Sequence, residues 1–237
     1  MFRVNPDLDI GGLAEAYASQ RRVRVRDLLA PDGLVDFYYD LAEREDWWHL
    51  INTTEGVVEL DRAARACMAA EDRAALEDKV NAGARDGFQY RYEGLRVPAG
   101  ATGREAAGEW LAAFSELMAS REMLDLLRAI TGFDGLAFTD GHATAYGPGD
   151  FLTGHDDDVA GKNRIAAYVF GMTPRWRAEW GGLLLFHGAD EASVVGHVPR
   201  FNTLDLFAVP QQHSVSMVTS AAPVRRYAVT GWLRSAE

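Results

Sequence analysis

The chain has 237 residues, with 24 basic and 35 acidic side chains and a formal net charge of −11. At 48% hydrophobic and 25% charged residues it has ordinary globular usage, enough to bury one core. The charge disfavours nucleic acid or an anionic membrane surface as partner, since both call for a basic stripe. The single cysteine, Cys67, excludes an intrachain disulfide framework and a thiolate zinc site.

No apolar run approaches the roughly 20 residues of a membrane span. The start, Met1 to Asp7, lacks the apolar core of a signal peptide. A cytoplasmic protein is therefore expected. There is no internal repeat, and one domain over 1–237 is expected, with mostly helical support over 1–134 and strands over 135–237.

In chain order, residues 11–20 are rich in Ala, Glu and Gln and predict a helix. A second starts near Pro31 or Asp32 and carries Leu34, Phe37, Tyr38 and Leu41 at helical spacing. Leu60 to Val80 is alanine-rich with Glu, Asp and Arg, and predicts a third, in which Cys67 is expected to be buried and inert. Glu105 to Ile130 predicts a fourth, with Trp110, Leu111, Phe114, Leu117 and Met118 on one stripe and Thr131-Gly132 as its stop. From there the pattern changes to short segments rich in Val, Phe, Tyr, Leu and Thr, divided by Gly, Pro and Asp. Strands are predicted over Ala137–Tyr146, Arg164–Met172, Gly182–Phe186, Thr203–Val209, His213–Val218 and Arg226–Leu233. Such a series reads as an antiparallel sandwich or barrel.

The chemistry concentrates in Gly154-His155-Asp156-Asp157-Asp158. His155 and Asp157 are two apart, which on an extended strand places both on one face. An imidazole and a carboxylate there can take neighbouring positions on a metal ion. His213, at the start of another strand-like segment, is the best third ligand. Two histidines and a carboxylate make the facial triad of non-haem Fe(II) sites, leaving positions open for a cosubstrate and dioxygen. Thirteen residues beyond His213 lies Arg226. Strand alternation puts Arg226, Ala228, Thr230 and Trp232 on one face, offering an anion clamp, a hydroxyl and an aromatic wall. A buried Arg is costly unless it meets an anion, and a guanidinium matches a carboxylate bidentately. Arg225 is read as exposed. Gly147-Pro148-Gly149-Asp150 reads as a turn or mobile loop over the site. His49, His187 and His197 have no partner at ligand spacing. His142 shares a strand face with Tyr146, and Trp176 and Trp180 flank a loop before Gly181-Gly182.

Taken in order, these motifs resemble the 2-oxoglutarate/Fe(II)-dependent dioxygenase superfamily, in its prolyl hydroxylase branch and most like the ribosomal-protein prolyl hydroxylases. Tyr146, Asp150-Phe151-Leu152, His155-Asp156-Asp157, Arg164-Ile165-Ala166, Pro174, Trp176 and Gly181 to Phe186 carry the resemblance. So do Phe201-Asn202-Thr203-Leu204, His213-Ser214-Val215 and Arg226 to Trp232. No counterpart of the second, degenerate barrel of larger eukaryotic ribosomal hydroxylases is expected.

The resemblance implies a mixed α and β fold, a double-stranded β-helix (jelly roll) with packed N-terminal helices. It implies Fe(II) held by His155, Asp157 and His213, and 2-oxoglutarate held through its C5 carboxylate by Arg226, with Tyr146 and Thr230 beside it. Relatives often place a second tyrosine where this chain has Phe170, and Tyr168 on the same strand face is the expected substitute. O2 is the other cosubstrate, ascorbate a candidate reductant, and succinate and CO2 the coproducts. The expected substrate is a prolyl residue of a protein or peptide. The alternatives are free proline or another small molecule, or a jelly-roll binding protein without catalysis. Loops around 86–104 and 147–164 are expected to set the choice.

Overall fold

The computed structural model describes residues 2–53, 55–97, 107–190 and 192–236. Residues 98–104 of the first expected substrate loop, and the expected helix start at Glu105, lie outside them.

Strand β1 (Arg22–Arg26), β2 (Trp48–Thr53), β3 (Gly56–Leu60), β4 (Tyr90–Arg96), β5 (Leu136–Thr139), β6 (His142–Tyr146), β7 (Phe151–His155), β8 (Arg164–Gly171), β9 (Leu184–His187), β10 (Val194–His197), β11 (Thr203–Ala208), β12 (His213–Val215) and β13 (Arg226–Ser235) join in one 13-stranded antiparallel network. Its path is β1-β11-β8-β13-β6-β4-β7-β12-β9-β10, with β2 and β3 beyond β4 and β5 beside β13. The path doubles back on itself as a jelly roll. Ala167 and Phe207 of the larger arm pack against Leu184 and Phe186 of the smaller arm.

Among the described residues the α-helices are α1 (Ile10–Gln20), α2 (Leu34–Glu43), α3 (Arg62–Cys67), α4 (Ala70–Asp86), α5 (Glu109–Met118) and α6 (Arg121–Thr131). The first 134 residues carry all six of these helices, and with them the strands β1 to β4, which the sequence pattern did not predict. Two helices expected as single rods are broken. Asp61 caps α3 by accepting from the Ala64 N–H (2.7 Å), and extended Met68 and Ala69 end it. Ser120 accepts from the Met123 N–H (3.2 Å) and starts α6 afresh. These short polar side chains satisfy amide groups that an uninterrupted helix would bond elsewhere. Gly132, in the left-handed conformation (φ 68°), ends α6 where the sequence placed the stop. Cys67 is exposed rather than buried, because α3 buries none of its residues.

The major core lies between the helices and the outer face of the larger arm. Phe37, Leu111, Phe114, Leu126 and Leu127 meet Tyr168, Phe170, Leu204, Leu206, Tyr227 and Val229 there. Both faces of β8 and β13 are therefore buried, one against helices and one inside the barrel. Phe170 is fully buried and stacks on Phe114 with centroids 4.8 Å apart. Phe170→Ala is expected to cost about 3–5 kcal/mol of stability by opening a cavity in this layer, measurable by urea unfolding. A loss below about 1 kcal/mol would contradict the packing.

Candidate active site

β7 and β12 pair antiparallel with His155 directly opposite His213. The register brings the imidazole centroids to 4.1 Å. Each ring is oriented by the carbonyl two residues before it. His155 Nδ1 lies 3.1 Å from the Thr153 oxygen, and His213 Nδ1 lies 2.8 Å from the Gln211 oxygen. A carbonyl only accepts, so each Nδ1 carries the proton and each Nε2 presents a lone pair. Both Nε2 atoms face Asp157, at 3.6 Å from His155 and 3.5 Å from His213. One ligand atom from each residue fits within 4.8 Å of the others. Burial, and then the charge of His155, lower the His213 pKa to about 4, opposed by Asp157.

Asp157 arrives by a different route from the extended strand expected. β7 ends at His155, and Asp157 takes a left-handed backbone (φ 65°), which Asp tolerates better than most residues. The turn swings its carboxylate back to the histidines. Arg164 Nη1 donates to the Asp157 carbonyl (3.1 Å) and holds the turn.

These groups line a cavity of about 380 Å³. Arg226, Thr230 and Trp232 enter its wall from β13, while Tyr227, Val229 and Leu233 point into the helical core, so the face read from alternation is the inner one. Arg226 is buried, and no carboxylate lies within ion-pair reach of it among the described residues. Its guanidinium sits 5.2 Å from the Tyr146 ring centroid. Burial lowers the Arg226 pKa and raises that of Tyr146. The guanidinium stays charged and the phenol protonated at neutral pH. Thr230 also lines the cavity, but its hydroxyl donates to the Tyr168 carbonyl (3.0 Å).

Tyr168 is a correction. It shares the face of Phe170, as expected, but that face is the helical one. Its hydroxyl donates to the Asp140 carbonyl (3.0 Å), away from the cavity. Arg225 is also not simply exposed. It makes a two-point bond to buried Glu93 (3.0 and 2.9 Å). Gly147 to Asp150 is a pinned turn rather than a cover, with the Gly147 N–H donating to buried Asp150 and Arg91 Nη2 donating to the Gly149 carbonyl. His49, His187 and His197 bond to Asp150, Ser214 and Asp205 respectively, outside the triad. Trp176 and Trp180 pack beneath Tyr146 and Val218.

The sequence reading missed the β4 aromatics. Phe88, Tyr90 and Tyr92 form a ladder into the cavity, with Tyr92 stacked 5.1 Å from Tyr146 and Phe88 5.4 Å from His155. Their alternation in Phe88-Gln89-Tyr90-Arg91-Tyr92 was the available signal. Arg164 was also missed as a wall residue, lying 3.6 Å over the Trp232 ring.

The donor set fits Fe(II): two neutral imidazoles and one carboxylate on one side, open cavity on the other. Buried, unpartnered Arg226 fits a carboxylate of a bound acid.

Residues 141–234 match the family model described as the 2OG-Fe(II) oxygenase superfamily. The family implies Fe(II), 2-oxoglutarate and O2. No curated protein matches the chain in sequence comparison. Among solved structures it is similar to a Pseudomonas putida prolyl-4-hydroxylase, at 18% identity over 96% of this chain and 100% of that one, with a TM-score of 0.58. A Trichoplax adhaerens prolyl hydroxylase, in complex with a peptide fragment of the hypoxia inducible factor oxygen degradation domain, is 15% identical over 95% and 89% of the chains, TM-score 0.59. A non-heme alpha ketoglutarate dependent epimerase from nogalamycin biosynthesis is 11% identical over 96% and 83%, TM-score 0.59. At these identities the likeness is one of fold. Among the described residues no helix is long and apolar enough to cross a membrane.

Tyr168→Phe is expected to leave 2-oxoglutarate affinity within about twofold while costing about 1 kcal/mol of stability, the worth of one hydrogen bond. Calorimetric titration and thermal melting read the two effects. Burial holds His142, in the cavity wall, at about 4, below its ordinary 6.5. With His213 similarly lowered, the unfolded chain binds protons between these values that the folded chain refuses. Stability of the metal-free protein is therefore full above pH ~6.5 and falls as pH drops toward 4. Urea unfolding across this window checks the sign, and His142→Gln should flatten the slope.

Proposed function

We propose that the chain is an Fe(II)- and 2-oxoglutarate-dependent dioxygenase that hydroxylates a C–H bond, with a prolyl residue of a protein or peptide as its substrate. The observation that carries this reading is the convergence of the triad and an anion-seeking buried arginine on one cavity. The prolyl assignment is supported by the motif resemblance and by the prolyl hydroxylases among the similar folds.

In this reading His155, Asp157 and His213 hold the iron, and the carbonyls of Thr153 and Gln211 keep both imidazoles neutral and aimed. When bound, the iron with 2-oxoglutarate and O2 supplies the oxidising chemistry, releasing succinate and CO2. Arg226 takes the C5 carboxylate of 2-oxoglutarate in a bidentate clamp. Tyr146 packs beneath that guanidinium, its protonated phenol available as a donor, and Thr230 completes the wall. Arg164 and Trp232 form a flat plate on the cavity wall. Arg164 Nε and Trp232 Nε1 are buried donors without a partner among the described residues. A substrate carbonyl satisfies them, and the rings of Tyr90, Tyr92 and Trp232 suit a pyrrolidine. Apolar walls exclude water from the oxidising face. Ascorbate serves to keep the iron reduced, and the cytoplasm, without disulfides, suits a chain with one thiol.

A second reading keeps the iron and 2-oxoglutarate but takes free proline or another small molecule. It is supported by the epimerase, which joins a similar fold to a different reaction.

Wild-type protein with Fe(II), 2-oxoglutarate and O2 is expected to release succinate slowly without substrate. His155→Ala should abolish this, and Arg226→Ala should weaken 2-oxoglutarate binding by about a hundredfold, the scale of truncating a buried ion pair. Unchanged succinate release in both variants would defeat the reading. Mass spectrometry of cell protein with and without the active enzyme should reveal a peptide gaining one oxygen on proline. A hydroxylated metabolite without such a peptide would favour the second reading.

A further inference from the structure

A second concavity, of about 810 Å³, is bounded by β1, the loop after β8 and the loop before β11, and shares no lining residue with the iron cavity. Among the described residues, exposed Arg26, Arg175 and Arg200 line it with no carboxylate within ion-pair distance. Arg24 is committed to buried Asp205 (2.7 Å), and Arg177 reaches only exposed Glu179 (3.3 Å). Among the described residues Asp27 is the one carboxylate in the lining. Half-buried Trp176, Trp180 and Phe201 supply rings between the arginines. In a chain of net charge −11 this is a local reversal of sign.

The groove also has a free backbone edge. β1 terminates the strand order. The Ala208 N–H donates to the Arg21 carbonyl (2.8 Å), which sets the phase of the β1–β11 ladder. In an antiparallel pair bonded residues alternate, so Arg21, Val23 and Val25 bond to β11, while the N–H and C=O of Arg22, Arg24 and Arg26 point outward. No described backbone group outside the ladder bonds to them.

We propose that this edge and groove dock an extended acidic segment of a partner protein by strand addition. The outward amides pair with the incoming backbone, Arg26, Arg175 and Arg200 meet its carboxylates, and the rings take its apolar side chains. Charges on an edge strand also guard against aggregation. That role accounts for the arginines of β1 but not for Arg175 and Arg200, which come from two separate loops onto the same groove. A nucleic acid would use the cations and rings, but it has no use for a row of strand amides, and the acidic remainder of the chain repels a long polyanion. The proposal does not depend on the iron chemistry.

The test uses the full chain and a fluorescein-labelled peptide alternating Glu with Val, read by anisotropy. Saturable binding is expected, weakening as salt is raised. It should weaken by about tenfold or more in the triple variant Arg26→Glu, Arg175→Glu, Arg200→Glu. A peptide with proline at alternate positions, unable to pair with the edge, should bind as weakly. The triple variant should keep the wild-type circular dichroism spectrum and cooperative thermal melt, which shows that it is folded. The proposal is overturned if the peptide does not bind, if binding survives both changes, or if a single-stranded oligonucleotide binds more tightly. It is also overturned if sedimentation shows the wild type self-associating through these same arginines.

Discussion

The pairing of His155 with His213 across β7 and β12 is the constraint on which the site depends. A β-ladder fixes which residues oppose one another, and a slip of one residue would turn either ring to the other face. Here the register sets the imidazoles 4.1 Å apart. The carbonyls of Thr153 and Gln211 then fix their tautomers, so backbone geometry rather than side-chain choice aims both lone pairs. Asp157 adds the only negative charge of the triad, through a left-handed turn that Arg164 secures from behind.

Charge is handled differently on the two sides of β13. Arg225 reaches Glu93, a fully buried carboxylate that Arg65 also contacts (3.0 Å), so its charge is neutralised within the protein. Arg226, the next residue, turns into the cavity and, among the described residues, has no carboxylate within ion-pair distance. Burying a guanidinium unpaired is expensive, whereas the adjacent pair shows how readily this fold neutralises one. That contrast supports the proposed role of Arg226 as a clamp for a ligand carboxylate. β4 serves both sides, since Tyr92 stacks on Tyr146 in the cavity while Glu93 faces the arginines.

Much of this was legible in the sequence, for reasons that also explain what was not. His155, Asp157, His213 and Arg226 were recoverable because each motif is local and strand spacing orders them along the chain. The inner face of β13 followed from alternation. The same rule misled at Tyr168, because β8 is buried on both faces. Alternation pairs Tyr168 with Phe170 but cannot say which buried face is the barrel's. The alternating Arg-Val-Arg-Val-Arg of β1 was visible, yet it lies between two predicted helices and was left unassigned. The clasp of Glu93 on Arg225 joins residues far apart in the chain and leaves no local trace. The break at Ser120 carried a signal, the capping side chain, that composition alone outweighed, whereas the break at Met68 and Ala69 has no capping side chain to announce it.

The substrate is the least constrained part, because the Arg164–Trp232 plate and the aromatic ladder of β4 can accept more than one ring or carbonyl. The iron and 2-oxoglutarate assignment stands on firmer geometry. Its most direct test is a crystal grown anaerobically with Fe(II) and 2-oxoglutarate, with anomalous data collected at the iron edge. The account predicts one iron peak bounded by His155 Nε2, His213 Nε2 and the Asp157 carboxylate, with dicarboxylate density ending on the Arg226 guanidinium. An iron peak elsewhere, or an Arg226 that meets no carboxylate at saturating 2-oxoglutarate, would contradict it.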